Sequence, residues 1–287
     1  MAREESPDRW WHKRSVVALL AGLAAGATCA AQATPGTVYV AVADADGRPV
    51  SGLTEKDFVV NVDNVTQPLI GVQPASEPLS IVLIAGSVVE NDLQQERIAL
   101  QSVINRLRQA SPDSRVGLID TDASAVPVLV GLTEAASGLD RRAARLQRTG
   151  EFDLVEGFLD ATRALAREPN HRRDVLVISS GGLGSPRADL QRVAQAFKDT
   201  RAALWEVHFE SHNAGACGNP LAVLTGGRCE TIFDSLALDA TAKRVTDLLL
   251  SQYALTYAPT RTAGPGALQV AVRRAGVKVL APVWVGQ

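Results

Sequence analysis

Residues 78–90, PLSIVLIAGSVVE, have the pattern of a buried β-strand that runs directly into a loop. Apolar residues fill positions 81–85, a Gly-Ser pair follows, and a helical pattern begins a few residues later. In α/β proteins the loop after such a strand is a common place for a functional site. This loop has no acidic residue before Glu90, no histidine and no glycine pattern suited to a phosphate. The loop therefore lies where a functional site is expected but lacks the residue types that usually form one.

Strand-like and helix-like patterns alternate from this stretch to residue 252. Leu154, Phe158, Ala161 and Leu165 recur at helical spacing, for example, and the apolar run DVLVIS follows them. Such continuous apolar strands are typical of a sheet that is covered on both faces. The alternation predicts an α/β fold with a doubly wound, mostly parallel sheet. RVGLID and VPVLVGL are separated by only a few residues, which predicts an antiparallel pair at the sheet edge.

Both flanks of this α/β region have the short patterns of β-strands, over residues 37–72 and again from residue 253. A two-stranded hairpin is only marginally stable alone, so we predict that the flanks meet in one small β domain. The predicted organisation is a signal peptide at 1–33, an N-terminal β segment at 34–77, the α/β domain at 78–252 and closing strands at 253–287 that pack with the N-terminal segment.

The first residues have the pattern of a secretory signal peptide. Three basic or histidine residues (12–14) precede an apolar run rich in Ala and Gly, which ends in Ala31-Gln32-Ala33. We predict cleavage near Ala33 and a secreted or periplasmic protein with no membrane span in the mature chain. An uncleaved anchor is the alternative. A lipid on Cys29 is disfavoured because Gly26 fits a lipobox poorly.

Composition limits the classes of partner. The net charge is -2, and aromatic residues make up 5% of the 287 residues. A nearly neutral chain with few aromatic side chains has neither the electrostatic attraction nor the stacking surfaces that nucleic acids require. We therefore predict no nucleic-acid partner.

Two cysteines, Cys217 and Cys229, remain if Cys29 leaves with the signal peptide. A pair of cysteines in an oxidising compartment most simply forms a disulfide. The alternative is a zinc site that also uses His208 and His212, although the cysteine spacing matches no common zinc module.

Four stretches, in order, resemble segments of von Willebrand factor A-type (vWA) domain proteins of the secreted bacterial VWFA-related type. They are VAVADADGRPVSGLTEKDFVVNVDN (40–64), PLSIVLIAGSVV (78–89), NPLAVLTGGRCETIF (219–233) and LLLSQYALTYAPT (248–260). The resemblance spans essentially the whole mature chain. It implies a Rossmann-like vWA domain that binds other proteins and is not an enzyme.

The resemblance also implies a divalent-cation adhesion site at the top of the sheet, and here this chain departs from the family. The first loop of the family supplies Asp-x-Ser-x-Ser, which falls on Ala85, Ser87 and Val89. The Thr of the second loop falls near Phe152, and the Asp of the third loop falls on Ser180. Magnesium requires carboxylate charge to leave its water shell, so we expect a degenerate site with no metal and no cofactor.

Nearby acids could restore a weak metal site with unusual ligands, which is the second interpretation. These acids are Glu90, Glu151, Asp153, Asp120 and Asp122. Acids near helix starts are common without a metal, because they interact favourably with the helix dipole.

An enzyme is the third interpretation. Ser179 and Ser180, followed by Gly181 and Gly182, could provide a nucleophile and backbone donors for an oxyanion. A polar turn after a buried strand explains the same residues, and no Gly-x-Ser-x-Gly elbow or phosphate loop occurs. A triad with His171, His208 or His212 has no support from spacing.

A binding module fits the sequence best. The loops 87–92, 150–153, 181–187 and 211–219 follow the predicted strands and would form one polar rim on a rigid sheet. The residues predicted to contact a protein partner are Ser87, Glu90, Glu151, Asp153, Ser180, Gly181 and Gly182. A purely structural module that binds through its β flank is a further alternative.

Overall fold

The computed structural model describes residues 34–86, 90–120, 128–133, 138–146, 154–169, 172–179, 187–209, 217, 220–259 and 266–285. The strands are β1 Gly36–Ala43, β2 Phe58–Val62, β3 Val65–Gln67, β4 Leu69–Pro74, β5 Leu79–Gly86, β6 Arg115–Asp120, β7 Val128–Thr133, β8 Arg172–Ser179, β9 Ala203–Phe209, β10 Arg228–Ile232, β11 Tyr253–Tyr257, β12 Gly266–Val272, β13 Lys278–Leu280 and β14 Trp284–Val285. The helices are α1 Glu90–Ala110, α2 Leu139–Ala143, α3 Leu154–Leu165, α4 Arg187–Thr200, α5 Leu221–Leu224 and α6 Leu238–Leu250.

The central sheet has the strand order β10-β9-β8-β5-β6-β7. The first five strands are parallel to their neighbours, and β7 runs antiparallel to β6 at the edge. All eight residues of β5 are buried, as expected for a strand with helices on both faces. The predicted α/β fold and the antiparallel edge pair are thus confirmed.

Each face of this sheet has its own apolar core. On one face, Leu100 of α1 and Leu248 of α6 pack in a cluster with Leu83 of β5. On the other face, Phe158 of α3 meets Phe197 of α4 edge-on, with ring centroids 5.7 Å apart. The apolar spacing seen in the sequence therefore marks the helix faces that cover the sheet.

The two ends of the described chain meet in two antiparallel sheets, with strand orders β13-β1-β11-β4 and β14-β12-β2-β3. Side chains from both sheets, such as Val40 and Phe58, share one apolar cluster, so the sheets pack face to face. The pairing of N-terminal with C-terminal strands confirms the predicted small β domain, which contains two sheets. The proposed boundaries at residues 33, 77 and 252 stay a prediction.

Strand β1 belongs to two cores at once. Val40 and Val42 point into the cluster between the two antiparallel sheets, whereas Ala41 and Ala43 belong to the cluster that also contains Leu248 of α6. Successive strand residues point to opposite faces, so one strand can serve both clusters. The small side chains at 41 and 43 let the helix approach closely.

A buried arginine joins the same two regions. Arg172, at the start of β8, is almost fully buried. Its Nε donates a hydrogen bond to Oε1 of Gln252 at 2.9 Å, and its other nitrogens donate to the carbonyls of Leu249 and Ala75. These bonds connect β8 to the end of α6 and to the chain between β4 and β5.

Two further features concern the predicted export of the chain. Cys217 and Cys229 form a disulfide with a Cα–Cα distance of 5.6 Å, which confirms the predicted pairing. In the part of the chain that the structure describes, no helix has the length and apolarity needed to cross a membrane.

Candidate functional site

The carboxyl edge of the central sheet is the place where the sequence predicts the rim. Strands β5 and β8 run side by side in register, with Ala85 opposite Ile178 and Gly86 opposite Ser179. The chain therefore leaves both strands at neighbouring points of this edge. Of the predicted contact residues, Ser87, Glu151, Asp153, Ser180, Gly181 and Gly182 lie outside the described residues. Glu90 is the first residue of α1, and its side chain is not described.

Ala85 is the described residue at a position where the family has a metal ligand. It is fully buried, and its methyl group belongs to the apolar core on the α1 face of the sheet. On the neighbouring strand β6, Ala85 lies opposite Asp120, a partly buried residue at the end of that strand. Phe152, Val89, Asp122, His171 and His212, which the sequence analysis also considered, lie outside the described residues.

A buried carboxylate supports the end of β5. Glu96 of α1 has an exposed fraction of 0%, and its Oε1 accepts a hydrogen bond of 3.0 Å from the backbone N–H of Gly86. Glu96 thus fixes the point at which the chain leaves the strand and enters the predicted rim.

A second buried polar group lies beneath the same edge, on the α3–α4 face. Oγ of Ser179 is 2.7 Å from Nδ1 of His208, and Nε2 of His208 is 3.7 Å from Oε1 of Glu206. All three side chains are at most 1% exposed. Neither carboxylate oxygen of Glu206 nor Nε2 of His208 has a hydrogen-bond partner within the described ranges. We call these three residues the polar cluster.

The order serine, imidazole, carboxylate is the order of a hydrolytic triad. A nucleophile must also meet its substrate, however, and the side chain of Ser179 is only 1% exposed. In this conformation the polar cluster is closed to a substrate of any size.

The disulfide lies next to the polar cluster. Cys229 is opposite Glu206 in the parallel pair of β9 and β10, and its Sγ, a carboxylate oxygen of Glu206 and a ring nitrogen of His208 are all within 4.8 Å of one another. Both cysteines also line a cavity of about 470 Å³. The cavity separates β10 from two turns of the β domain, around residues 44–45 and 276–278.

The TGGR motif (residues 225–228) and the DADGRPV turn (44–50), which both lie in stretches that resemble vWA proteins, meet beside this cavity. A Cβ placed on Gly47 would lie 3.1 Å from the guanidinium of Arg228. Oγ1 of Thr225 accepts a hydrogen bond from the backbone N–H of Leu204 at 2.9 Å. The DADGRPV turn of the β domain therefore lies against Arg228 at the start of β10, and the TGGR motif is hydrogen-bonded to β9.

A third buried acid lies at the opposite, amino end of the sheet. Oδ1 of Asp174 accepts a hydrogen bond of 2.7 Å from Nε1 of Trp205. Burial raises the pKa of Asp174 to about 6, and the nearby charge of Arg172 and the bond from Trp205 oppose the rise.

Glu96, Glu206 and Asp174 are not among the site residues predicted from the sequence. Glu206 and Asp174 could have been found, because each is an acid inside an otherwise apolar strand pattern, AALWEVHF and DVLVIS. Glu96 gave no such indication, since a helix of mixed composition has many acids on its exposed side.

The comparisons with known proteins agree with this geometry. Residues 84–183 match the family model of the von Willebrand factor type A domain. A solved von Willebrand factor type A structure from Catenulispora acidiphila superimposes with a TM-score of 0.53 and 12% identity, and the match covers 89% of this chain and 74% of that chain. A comparison with curated protein sequences finds no significant match.

Proximal thread matrix protein 1 from the mussel byssus gives a TM-score of 0.51 at 11% identity. This match covers 63% of the present chain and 49% of the mussel protein. The class of fold is therefore the α/β sheet of vWA domains. Residues 84–183 of this chain thus match the von Willebrand factor type A domain, and the α/β region has the fold of that class.

Proposed function

We propose that this protein is an exported, non-catalytic protein–protein interaction module of vWA type that has lost its divalent-cation site. The observation that carries the proposal is the buried methyl group of Ala85, at the position where the family has its first metal-binding Asp. A hydrocarbon group cannot replace the carboxylate that draws Mg²⁺ from its water shell. Recognition would then depend on hydrogen bonds and shape.

Export is supported by two features of the chain. Residues 12–33 have the pattern of a cleavable signal peptide. The Cys217–Cys229 disulfide is typical of proteins in oxidising compartments.

The proposed partner-binding surface is the rim of loops at the carboxyl edge of the sheet. It includes Ser87, Glu90, Glu151, Asp153, Ser180, Gly181 and Gly182. Its support is the common exit point of the chain from β5 and β8, and the buried Glu96 that fixes this point. Polar loops on a rigid scaffold are a frequent place for binding.

Capture from a periplasmic extract tests this surface. One variant carries Ser87→Ala and a Gly-Ser replacement of residues 181–187, and the matched control carries Ile70→Ser at an exposed position of the β flank. We expect the rim variant to lose the proteins that the unaltered chain retains, and the control to keep them. The reverse pattern would favour a structural module that binds through its flank. Circular dichroism establishes that both variants are folded.

Calorimetry tests the loss of the cation site. Titration of the disulfide-bonded protein with Mg²⁺, Ca²⁺ and Mn²⁺ should give no micromolar binding. Micromolar binding that Glu151→Gln or Asp153→Asn abolishes would establish the alternative, a cation-dependent adhesion module with unusual ligands.

A hydrolase is the other alternative, and the order Ser179, His208, Glu206 is the observation that favours it. Because Ser179 is buried, we expect no turnover of activated esters above background. Turnover that Ser179→Ala removes would establish an enzyme.

A further inference from the structure

We propose that opening the Cys217–Cys229 disulfide creates a zinc site, with Glu206, His208, Cys217 and Cys229 as its four ligands. This inference concerns the polar cluster and the disulfide beside it, and it is independent of the rim described above.

The ligand atoms are already close together. A carboxylate oxygen of Glu206, a ring nitrogen of His208 and Sγ of Cys229 lie within 4.8 Å of one another, and Cys217 is bonded to Cys229. Zinc bonds of about 2.0–2.3 Å in a tetrahedron place neighbouring ligand atoms roughly 3.3–3.8 Å apart. After Cys217 is released from the disulfide, side-chain rotations would bring the ligand atoms to these distances.

Three buried polar atoms of the polar cluster have no hydrogen-bond partner among the described residues, and a bound metal ion would interact with them instead. These atoms are both carboxylate oxygens of Glu206 and Nε2 of His208. Burial of an unpaired polar group costs free energy, and burial of an unpaired charge costs more. A cation bound between these side chains would offset this cost.

Ser179 orients the imidazole for this role. When Nδ1–H of His208 is the donor to Oγ of Ser179, 2.7 Å away, Nε2 carries the free lone pair, 3.7 Å from Oε1 of Glu206. A second ring nitrogen held by a hydrogen bond is the usual arrangement for a histidine that binds a metal. Ser179 is thus a positioning residue.

The donor set selects the metal. Two thiolates, one imidazole and one carboxylate in a tetrahedron suit Zn²⁺ better than Mg²⁺ or Ca²⁺, which prefer oxygen ligands. The disulfide prevents binding, because its sulfur atoms carry no thiolate charge. Oγ1 of Thr231 donates a hydrogen bond to Sγ of Cys217 at 3.1 Å, and the same bond would stabilise a thiolate there.

A dithiol reductant can reach the disulfide, since both cysteines line the cavity of about 470 Å³. One thiolate of the reductant attacks a disulfide sulfur and forms a mixed disulfide, and its second thiol then displaces the protein cysteine. The reductant leaves as a disulfide, and its two electrons and two protons remain on Cys217 and Cys229. Zinc then binds the two thiolates and releases both protons to solvent.

Cobalt(II) is the probe, because tetrahedral Co²⁺ bound to thiolates has strong visible bands and a sulfur-to-metal absorption. The purified full-length chain is treated with a dithiol, freed of it without oxygen, and titrated with Co²⁺ and then Zn²⁺. We expect one Co²⁺ per reduced chain, complete displacement by Zn²⁺, and no bands from the disulfide-bonded chain. Far-UV circular dichroism follows the fold throughout.

Variants separate this site from metal held by the two thiols alone. Glu206→Gln and His208→Gln should weaken Zn²⁺ binding by more than about 100-fold, since loss of a ligand exceeds the usual effect of its supporting residues. The matched control is Glu230→Gln on β10, because the carboxylate of Glu230 pairs with Arg228 and Arg244 and lies outside the cluster. It should bind zinc as tightly as the unaltered chain.

Several results would overturn the proposal. They are absence of Co²⁺ bands in the reduced chain, unfolding of that chain on reduction, equal affinity in Glu206→Gln and His208→Gln, and binding by the chain that carries both Cys217→Ser and Cys229→Ser.

Discussion

Asp174 shows at the scale of one residue how burial makes stability depend on pH. Its folded pKa, about 6, lies above the ordinary value of 3.8 because the carboxyl group is desolvated. The folded state therefore retains this proton at pH values where the unfolded state has released it. The contribution of Asp174 to stability is fully present below about pH 4 and is lost as the pH rises through about 6.

Replacement of Asp174 by Asn should remove this pH dependence. Asn keeps an oxygen that accepts the hydrogen bond from Trp205, but it does not titrate. From about pH 4 to about pH 7, the free energy of unfolding of the unaltered protein should fall by up to about 3 kcal/mol relative to Asp174→Asn. Urea unfolding of both proteins across this range measures the difference. If the difference in free energy of unfolding between the two proteins did not change with pH, the raised pKa of Asp174 would be wrong.

The sequence indicated some individual residues and not others, for a physical reason. The pairing of Cys217 with Cys229 follows from their number and from the expected compartment, and the structure confirms it. The contact between Ser179 and His208 requires two neighbouring strands in a particular register, which local pattern does not specify. The rim residues stay predictions.

At the scale of elements, the TGGR motif fixes the approach of β10 to β9. A Cβ placed on Gly227 would lie 1.8 Å from the carbonyl oxygen of Leu204, so glycine is required there for close approach. Both strands are held by sheet hydrogen bonds and cannot move apart without loss of the pairing.

Gly227→Ala should therefore lower the free energy of unfolding by at least about 3 kcal/mol, at the upper end of overpacking effects. Gly71→Ala on β4 is the matched control, because its added methyl group would meet Thr256 at an ordinary 3.8 Å. The control should change stability by less than about 1 kcal/mol. Thermal and urea unfolding measure both variants, and similar values for the two would contradict the steric argument.

The periodic patterns predicted the elements better than their ends. The apolar spacing predicts one helix over residues 189–198 and another over 241–252. In the structure α4 extends over Arg187–Thr200 and α6 over Leu238–Leu250. The short helix α2 was missed, since five residues contain too little periodicity to be recognised. Helix ends depend on caps and on packing, which the spacing of apolar residues does not encode.

At the scale of the whole molecule, the β domain and the α/β domain share an apolar core and the hydrogen bonds of one buried arginine. The alanines of β1 lie in the core that contains α6, and Arg172 is bonded to chain from both regions. Two domains with a common core cannot separate without exposing apolar surface to water.

We therefore expect residues 34–287 to unfold in a single cooperative transition. Hydrogen exchange with mass spectrometry, at increasing urea, should show peptides from β1 and β8 losing protection at the same midpoint. Arg172→Met should lower that midpoint for both peptides together, because it removes the donor that Gln252 and two backbone carbonyls share. Each buried polar group left without a partner costs about 1–3 kcal/mol. Separate midpoints would show that the two domains are independent.

The architecture was predictable from the sequence because it rests on long, repeated patterns. Continuous apolar strands separated by helices define the doubly wound sheet, and β patterns at both ends define a domain that needs both. The sequence did not predict that this domain contains two sheets, since the assignment of short strands to sheets depends on contacts between residues far apart in the chain.

The position of β1 has a consequence for how the chain is made. This strand lies between β11 and β13, and Thr37 contacts Thr256, 219 positions away. The ribosome therefore releases β1 long before either neighbour exists. Contacts between distant segments form slowly, because the intervening chain must first lose its freedom. A newly made polypeptide consequently cannot complete its β domain until its last strands have been synthesised.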